Sequence, residues 1–121
     1  MTGDAEILTL ISNTVSNTYL NKLPQTVKLD EATPKVLIKN ITHLNTPTKD
    51  NAGREEFVYR IEVIGSLYAN VSSVSEQIKN LMVPHSGTYI YLVTYENGYY
   101  DTNETAEIHR VIKDYRAFIK Y

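Results

Sequence analysis

The 121 residues predict an α+β domain, a mostly antiparallel sheet with two helices packed on one face in the order α-β-β-α-β-β. Three observations carry that prediction. Residues 55–83, EEFVYRIEVIGSLYANVSSVSEQIKNLMV, switch from a period of two to a helical period within one stretch. Close to the start, Ile7, Leu8, Ile11, Val15 and Tyr19 recur at helical spacing. Residues 35–43 and 88–96 are runs rich in β-branched and aromatic side chains, the composition of strands. The length suits one hydrophobic core, so residues 1–121 are expected to form a single domain.

Residues 2–21 are expected to be the first helix, with Asp4 and Glu6 where the helix dipole favours acid and Pro24 closing it. Its polar side, Ser12, Asn13, Ser16 and Asn17, consists of weak helix formers, so packing of the apolar stripe has to hold it. Residues 25–33 form a connection in which Val27 and Leu29 allow a short extended piece. KVLIKNITH, residues 35–43, places Val36 and Ile38 on one face and Leu37 and Ile41 on the other, the pattern of an inner strand. Residues 44–54, LNTPTKDNAGR, lack periodicity and are long for a hairpin loop. The next strand carries Phe57, Tyr59, Ile61 and Val63 on one side and Arg60 and Glu62 on the other, and ends near Gly65.

After Tyr68, the residues Val71, Val74, Ile78, Leu81 and Met82 line one stripe of a second helix. Ser73 and Glu76 stand in capping-box relation, with Asn70 as the competing N-cap, and Pro84 marks the end. Residues 88–96 alternate, Tyr89, Tyr91, Val93 and Tyr95 against Ile90, Leu92 and Thr94. Asn97-Gly98 follows as a strong hairpin signal. The last segment fits two patterns: Ile108, Val111, Ile112, Tyr115, Phe118 and Ile119 suit a helix, whereas Val111, Tyr115, Ala117, Ile119 and Tyr121 suit one face of a strand. Ile11, Val15, Ile61, Val63, Ile78 and Leu81 are the expected shared core.

The composition narrows the function classes. A net charge of −2 is too near neutral for a nucleic-acid-binding surface or a polybasic membrane patch, so no specific nucleic-acid binding is expected. The absence of cysteine excludes disulfides, thiolate metal sites and cysteine nucleophiles, and fits synthesis in a reducing cytoplasm. No stretch approaches a membrane span of about 18 apolar residues, and Asp4 and Glu6 stand where a signal peptide carries basic residues. Ten tyrosines stand against two phenylalanines and no tryptophan, which suits half-buried surfaces in a fold or a subunit contact.

Candidate chemistry is thin. His43, His85 and His109 have no metal-ligand spacing, and Gly65-Ser66 lacks the context of a nucleophile elbow. The acids Glu55, Glu56, Glu62, Asp101, Glu104, Glu107 and Asp114 read as a solvated face rather than paired catalytic carboxylates. Tyr89, Tyr91 and Tyr95 lack the basic flanks of a base-stacking platform and read as sheet packing. No catalytic residue, metal ligand or cofactor is therefore assigned.

The N-terminal helix, the YRIEVIGSLY strand running into VSSVSEQIKNLM, and the ending YYDTNETAEIHRVIKDYRAFIKY form one overall pattern. That pattern resembles the tail-terminator (tail-completion, or minor capsid) proteins of long-tailed phages. That ending is similar to the family's closing hairpin, an acidic turn followed by a His-x-Val-x-Asp-Tyr-Arg strand. Here one extra residue gives His109-Arg110-Val111-Ile112-Lys113-Asp114-Tyr115-Arg116.

The resemblance implies that the final segment is a strand. It also implies a non-enzymatic structural protein of the virion, made in the host cytoplasm and placed at the head-proximal end of the tail. There it would form a ring, typically a hexamer, that ends tail-tube polymerisation, its partners being copies of itself, the tail-tube protein and head connector proteins. Two sites follow as expectations: an assembly loop with Thr46, Pro47, Lys49, Asp50, Asn51 and Arg54, and lumen-facing acids Asp101, Glu104 and Glu107 that repel phosphate. The competing readings are a small metal-dependent hydrolase or nuclease using acidic residues, and a monomeric module binding peptide or single strands through tyrosines.

Overall fold

A computed structural model describes residues 3–15, 17–22, 33–46, 54–83, 85–103 and 108–119. Its elements are α1 (Gly3–Ser12), β1 (Thr18–Leu20), β2 (Lys35–Thr46), β3 (Arg54–Gly65), α2 (Tyr68–Met82), β4 (Ile90–Asn103) and β5 (Ile108–Ile119). The five strands form one sheet in the order β1-β2-β3-β5-β4. The α+β class and the mostly antiparallel sheet agree with expectation, but the element order does not. A three-residue strand β1 runs parallel to β2, Thr18 opposite Val36 and Leu20 opposite Ile38, and makes the sheet mixed.

β1 arises because the first helix stops early. α1 ends at Ser12 instead of extending towards Pro24, where Asn13 and Thr14 form a turn. Those poor helix formers occupy the point at which the apolar stripe would have had to continue. Val15 is still buried, its N–H donating to the Ile11 carbonyl at 2.8 Å, but it sits beyond the helix. The chain then extends, and Asn17 O and Ile38 O accept from Val36 N and Asn21 N at the two ends of the β1–β2 pairing. Asn21 leaves this strand with φ of 66°, a left-handed conformation that asparagine tolerates better than most residues.

Both helices cover the same face of the sheet. Ile7, Ile11, Val71, Ile78 and Met82 meet Val36, Ile38, Tyr59, Ile61, Val63, Tyr115 and Ala117 in one core. Of the expected core residues, Ile11, Val15, Ile61, Val63 and Ile78 belong to it, whereas Leu81 is only partly buried and Met82 takes its place. The step from Ile78 to Met82 is a full helical turn and stays on the stripe, while Leu81 lies at its margin.

α2 does not use the expected caps. It begins at Tyr68 with Leu67 as N-cap in extended conformation and no side-chain cap, while Glu76 binds Lys113 Nζ at 2.7 Å across to β5. Its end agrees with the sequence: Val83, the residue before Pro84, is extended.

The hairpin signal at Asn97-Gly98 is overturned. Both residues lie inside β4, paired with Asp114 and Lys113, and the ladder continues until Asn103 pairs with Ile108. No described glycine has positive φ, so Gly98 is not a turn residue. A Cβ there would come within 2.5 Å of the Tyr95 hydroxyl and 3.0 Å of Lys113 Cγ, so any larger residue would have to displace the end of the Tyr95 side chain. The final segment is strand β5, with Tyr115 and Ala117 on the helix face. β4 carries two register shifts, at residues 90–92 and 95–97. The first puts Ile90 and Val93 on the same face, against the simple alternation read from the sequence.

Candidate functional site

The sheet face opposite the helices carries an array of charged side chains on neighbouring strands. Arg60 of β3 stands directly opposite Asp114 of β5 and forms a fork, Nε to Oδ1 at 3.0 Å and a second nitrogen to Oδ2 at 3.2 Å. Glu62 lies between Lys39 Nζ at 3.0 Å and Arg110 at 3.6 Å. Arg116 bridges Glu56 at 2.7 Å and Glu96 at 2.6 Å. These hydrogen-bonded carboxylates push the Arg60 and Arg116 guanidinium groups above their ordinary value.

The acids expected to form a solvated face are therefore partly sequestered. Glu62 and Asp114 are buried, and each has an opposite charge beside it. Period two places such residues on the outer side of each strand, but only the register across strands brings the signs together. Four acids and four bases neutralise one another in this array.

β4 forms one edge of the sheet. Tyr91, Tyr95, Tyr99 and Tyr100 on this strand, and Tyr89 just before it, are all exposed. Tyr95 packs edge-on against buried Tyr115 and lies under Lys79, whose nitrogen is 4.4 Å from the ring centre. Tyr100 hydrogen-bonds His109 Nδ1 and contacts Tyr68 edge-on with ring centres 5.0 Å apart. Leu67 adds to this exposed apolar end of the molecule.

On the helix side, Glu6 of α1 reaches the segment between α2 and β4. It accepts from Tyr89 N at 2.7 Å and pairs with His85 Nε2 at 3.0 Å. Glu6, Thr9, Leu10, Asn13, His85, Gly87 and Thr88 line an open cleft of about 270 Å³. In the sequence Glu6 shows only as an acid near a helix N-terminus, because its partners are 79 and 83 positions away and no local pattern connects them. Asp4 is similarly committed, accepting from Tyr59 Oη at 2.6 Å and Asn40 Nδ2 at 3.2 Å.

Of the expected assembly-loop residues, Thr46 and Arg54 are paired strand residues that end β2 and begin β3. The loop is shorter than residues 44–54, because two good strands extend their antiparallel pairing into it. Pro47, Lys49, Asp50 and Asn51 lie outside the described residues. Asp101 is exposed on β4 opposite Arg110, and Glu104 and Glu107 lie outside the described residues. Among the described residues there is no group of three or more His, Asp and Glu able to hold a metal ion. No described helix is long and apolar enough to cross a membrane.

No family model and no curated protein matches the sequence. Among solved structures, the chain shares its fold with a chain of the virion of a native gene transfer agent particle. That match has a TM-score of 0.69 at 14% identity, over 98% of this chain and 87% of that one.

Proposed function

We propose that this protein is a non-enzymatic structural component of a phage-like virion. In this reading, copies form a ring, typically of six, on the head-proximal end of the tail tube, stop its growth and offer head connector proteins a docking surface. The carrying observation is the fold shared over 98% of the chain with a subunit of a gene transfer agent virion. The closing β4–β5 hairpin, the longest ladder of the sheet, adds support because the sequence resemblance to tail-terminator proteins rests most heavily on those residues.

The surface suits such a role. Among the described residues, the charges of the outer sheet face are paired within the subunit, and the exposed large apolar side chains are mainly tyrosine, a residue enriched in protein contacts. Ring closure requires one patch to meet a different patch on the next copy and needs no chemistry. Asp101, Glu104 and Glu107 are proposed to face the lumen, and residues 47–53, between the paired Thr46 and Arg54, to contact a neighbour or the tube end.

Light scattering over a range of protein and salt concentrations, combined with negative-stain electron microscopy, tests the reading. A closed oligomer with a central hole is expected. A strict monomer under every condition would overturn it, and metal-dependent hydrolysis by that monomer would favour the enzymatic alternative.

A further inference from the structure

The two edges of the sheet are finished differently. At one edge, β1 covers only residues 36–38 of β2, and among the described residues no strand pairs with β2 on that side from Lys39 to Thr46. At the other, β4 presents 14 residues, and no described strand lies beyond it. Edge strands are ordinarily protected by shortness, lysine, proline or bulges. β4 contains neither lysine nor proline. Its register shifts occur before residue 97, and residues 97–103 hold seven consecutive pairs with β5 without interruption. This is an extended row of outward backbone groups with exposed Tyr99 and Tyr100 along it.

We infer that residues 97–103 of β4 in one copy add as a strand to the edge of β2, residues 39–46, which no described strand covers, in the next copy. The inference rests on the ring reading and specifies its contact surface. Charge selects the partner. β4 carries Glu96 and Asp101 and no base, whereas residues 39–46 of β2 carry Lys39 and no acid. Lys39 and Glu96 keep about two-fifths of their side-chain surface exposed despite their internal ion pairs. Two β4 edges meeting each other would instead oppose acid to acid, which disfavours a symmetric dimer. Because the donor and acceptor edges lie on opposite sides of one sheet, each copy can bind on both sides, giving the head-to-tail contact that ring closure requires. The backbone supplies the hydrogen bonds and the tyrosines supply contact area, as in strand-addition complexes.

The protein lacks cysteine, so introduced thiols report on chosen positions alone. Ile41→Cys on β2 is combined with Asn97→Cys, Tyr99→Cys or Asp101→Cys on β4, all at exposed positions, and treated with a short bismaleimide. Far-UV circular dichroism and thermal midpoints confirm which variants are folded, and the three independent β4 positions keep the test decisive if one variant is not. Mixing a β2 variant with a β4 variant should give cross-linked dimers that neither gives alone. A chain carrying both cysteines should give a ladder of higher species. Cross-linking of a β4 variant with itself would overturn the choice of β2 as partner. Rings that yield no cross-link at any position would place the contact elsewhere and leave the proposed function standing, whereas strict monomers without cross-links would defeat both.

Discussion

Tyr59 and Tyr115 stand directly opposite one another on β3 and β5, both fully buried, but their hydroxyls are treated differently. Tyr59 donates to Asp4, while the Tyr115 hydroxyl has no hydrogen-bond partner among the described residues. Tyr59→Phe should therefore cost about 1 to 3 kcal/mol, since it removes a bond to a charged group. Tyr115→Phe should be neutral or stabilising, because a buried unpaired hydroxyl contributes desolvation cost alone. Denaturant melts of the two variants check this, and a larger loss for Tyr115→Phe would contradict it. Burial is the main cause that pushes both phenols well above their ordinary value of 10.0, with Asp4 reinforcing the shift for Tyr59. A raised folded-state pKa means that the unfolded chain loses these protons first. The stabilisation is thus complete below about pH 10 and falls as pH rises beyond it. In an alkaline titration followed by tyrosinate absorbance, at least these two phenols should ionise only together with unfolding. Ile61, on the same inner face, should cost about 2 to 5 kcal/mol when truncated to alanine. A loss below about 0.5 kcal/mol would mean that the inner face has been misassigned.

At the scale of elements, the joint between α1 and the start of β4 is a shared packing device. A Cβ on Gly87 would come within 2.8 Å of the Glu6 carboxylate. A side-chain end normally moves aside, but Glu6 is held by His85 and by Tyr89 N and is buried. Gly87→Ala should therefore destabilise the protein by about 1 to 3 kcal/mol, the usual range for forced overpacking. In a Glu6→Ala background the obstruction is gone, so the same change should cost clearly less. A double-mutant cycle reads this coupling, and strictly additive effects would show that the two residues do not interfere. The same element logic explains α2, whose N-terminus has no side-chain cap and whose Glu76 serves β5 instead. Lys113 binds that carboxylate and draws it below its usual value.

At the scale of the whole molecule, two expectations follow from the charge pattern and from residues 47–53. Because the described ion pairs of the sheet match acid with base and the net charge is −2, DNA affinity should be negligible at physiological salt. Salt-sensitive micromolar binding would instead reveal a phosphate-contacting surface and remove the proposed lumen role of Asp101, Glu104 and Glu107. Residues 47–53 contain no large apolar side chain that could offset the entropy of being fixed. Their amide exchange should be fast in the free subunit and slowed in the assembled ring. Equal, rapid exchange in both states would leave the segment a plain connector, as would full assembly by a chain in which it is shortened.

The sequence by itself determined the α+β class, the inner face of β3, the apolar stripe of α2 and the end of α2 before Pro84. Each is a local periodicity or a local backbone restriction, and needs no knowledge of what lies opposite. It left the last segment open between helix and strand, since twelve residues with two overlapping apolar patterns satisfy both periods. Pairing with β3 and β4 on its two sides made β5 a central strand. Tertiary structure alone decided that Asn97-Gly98 continues a strand, because the ladder to β5 outweighs a dipeptide's preference for a turn. It also decided that Glu6 anchors a segment some eighty residues away, and that Glu56, Glu62 and Asp114 are paired rather than solvated. Those outcomes depend on register and on distant packing, quantities that exist only once strands far apart in the chain have been set side by side.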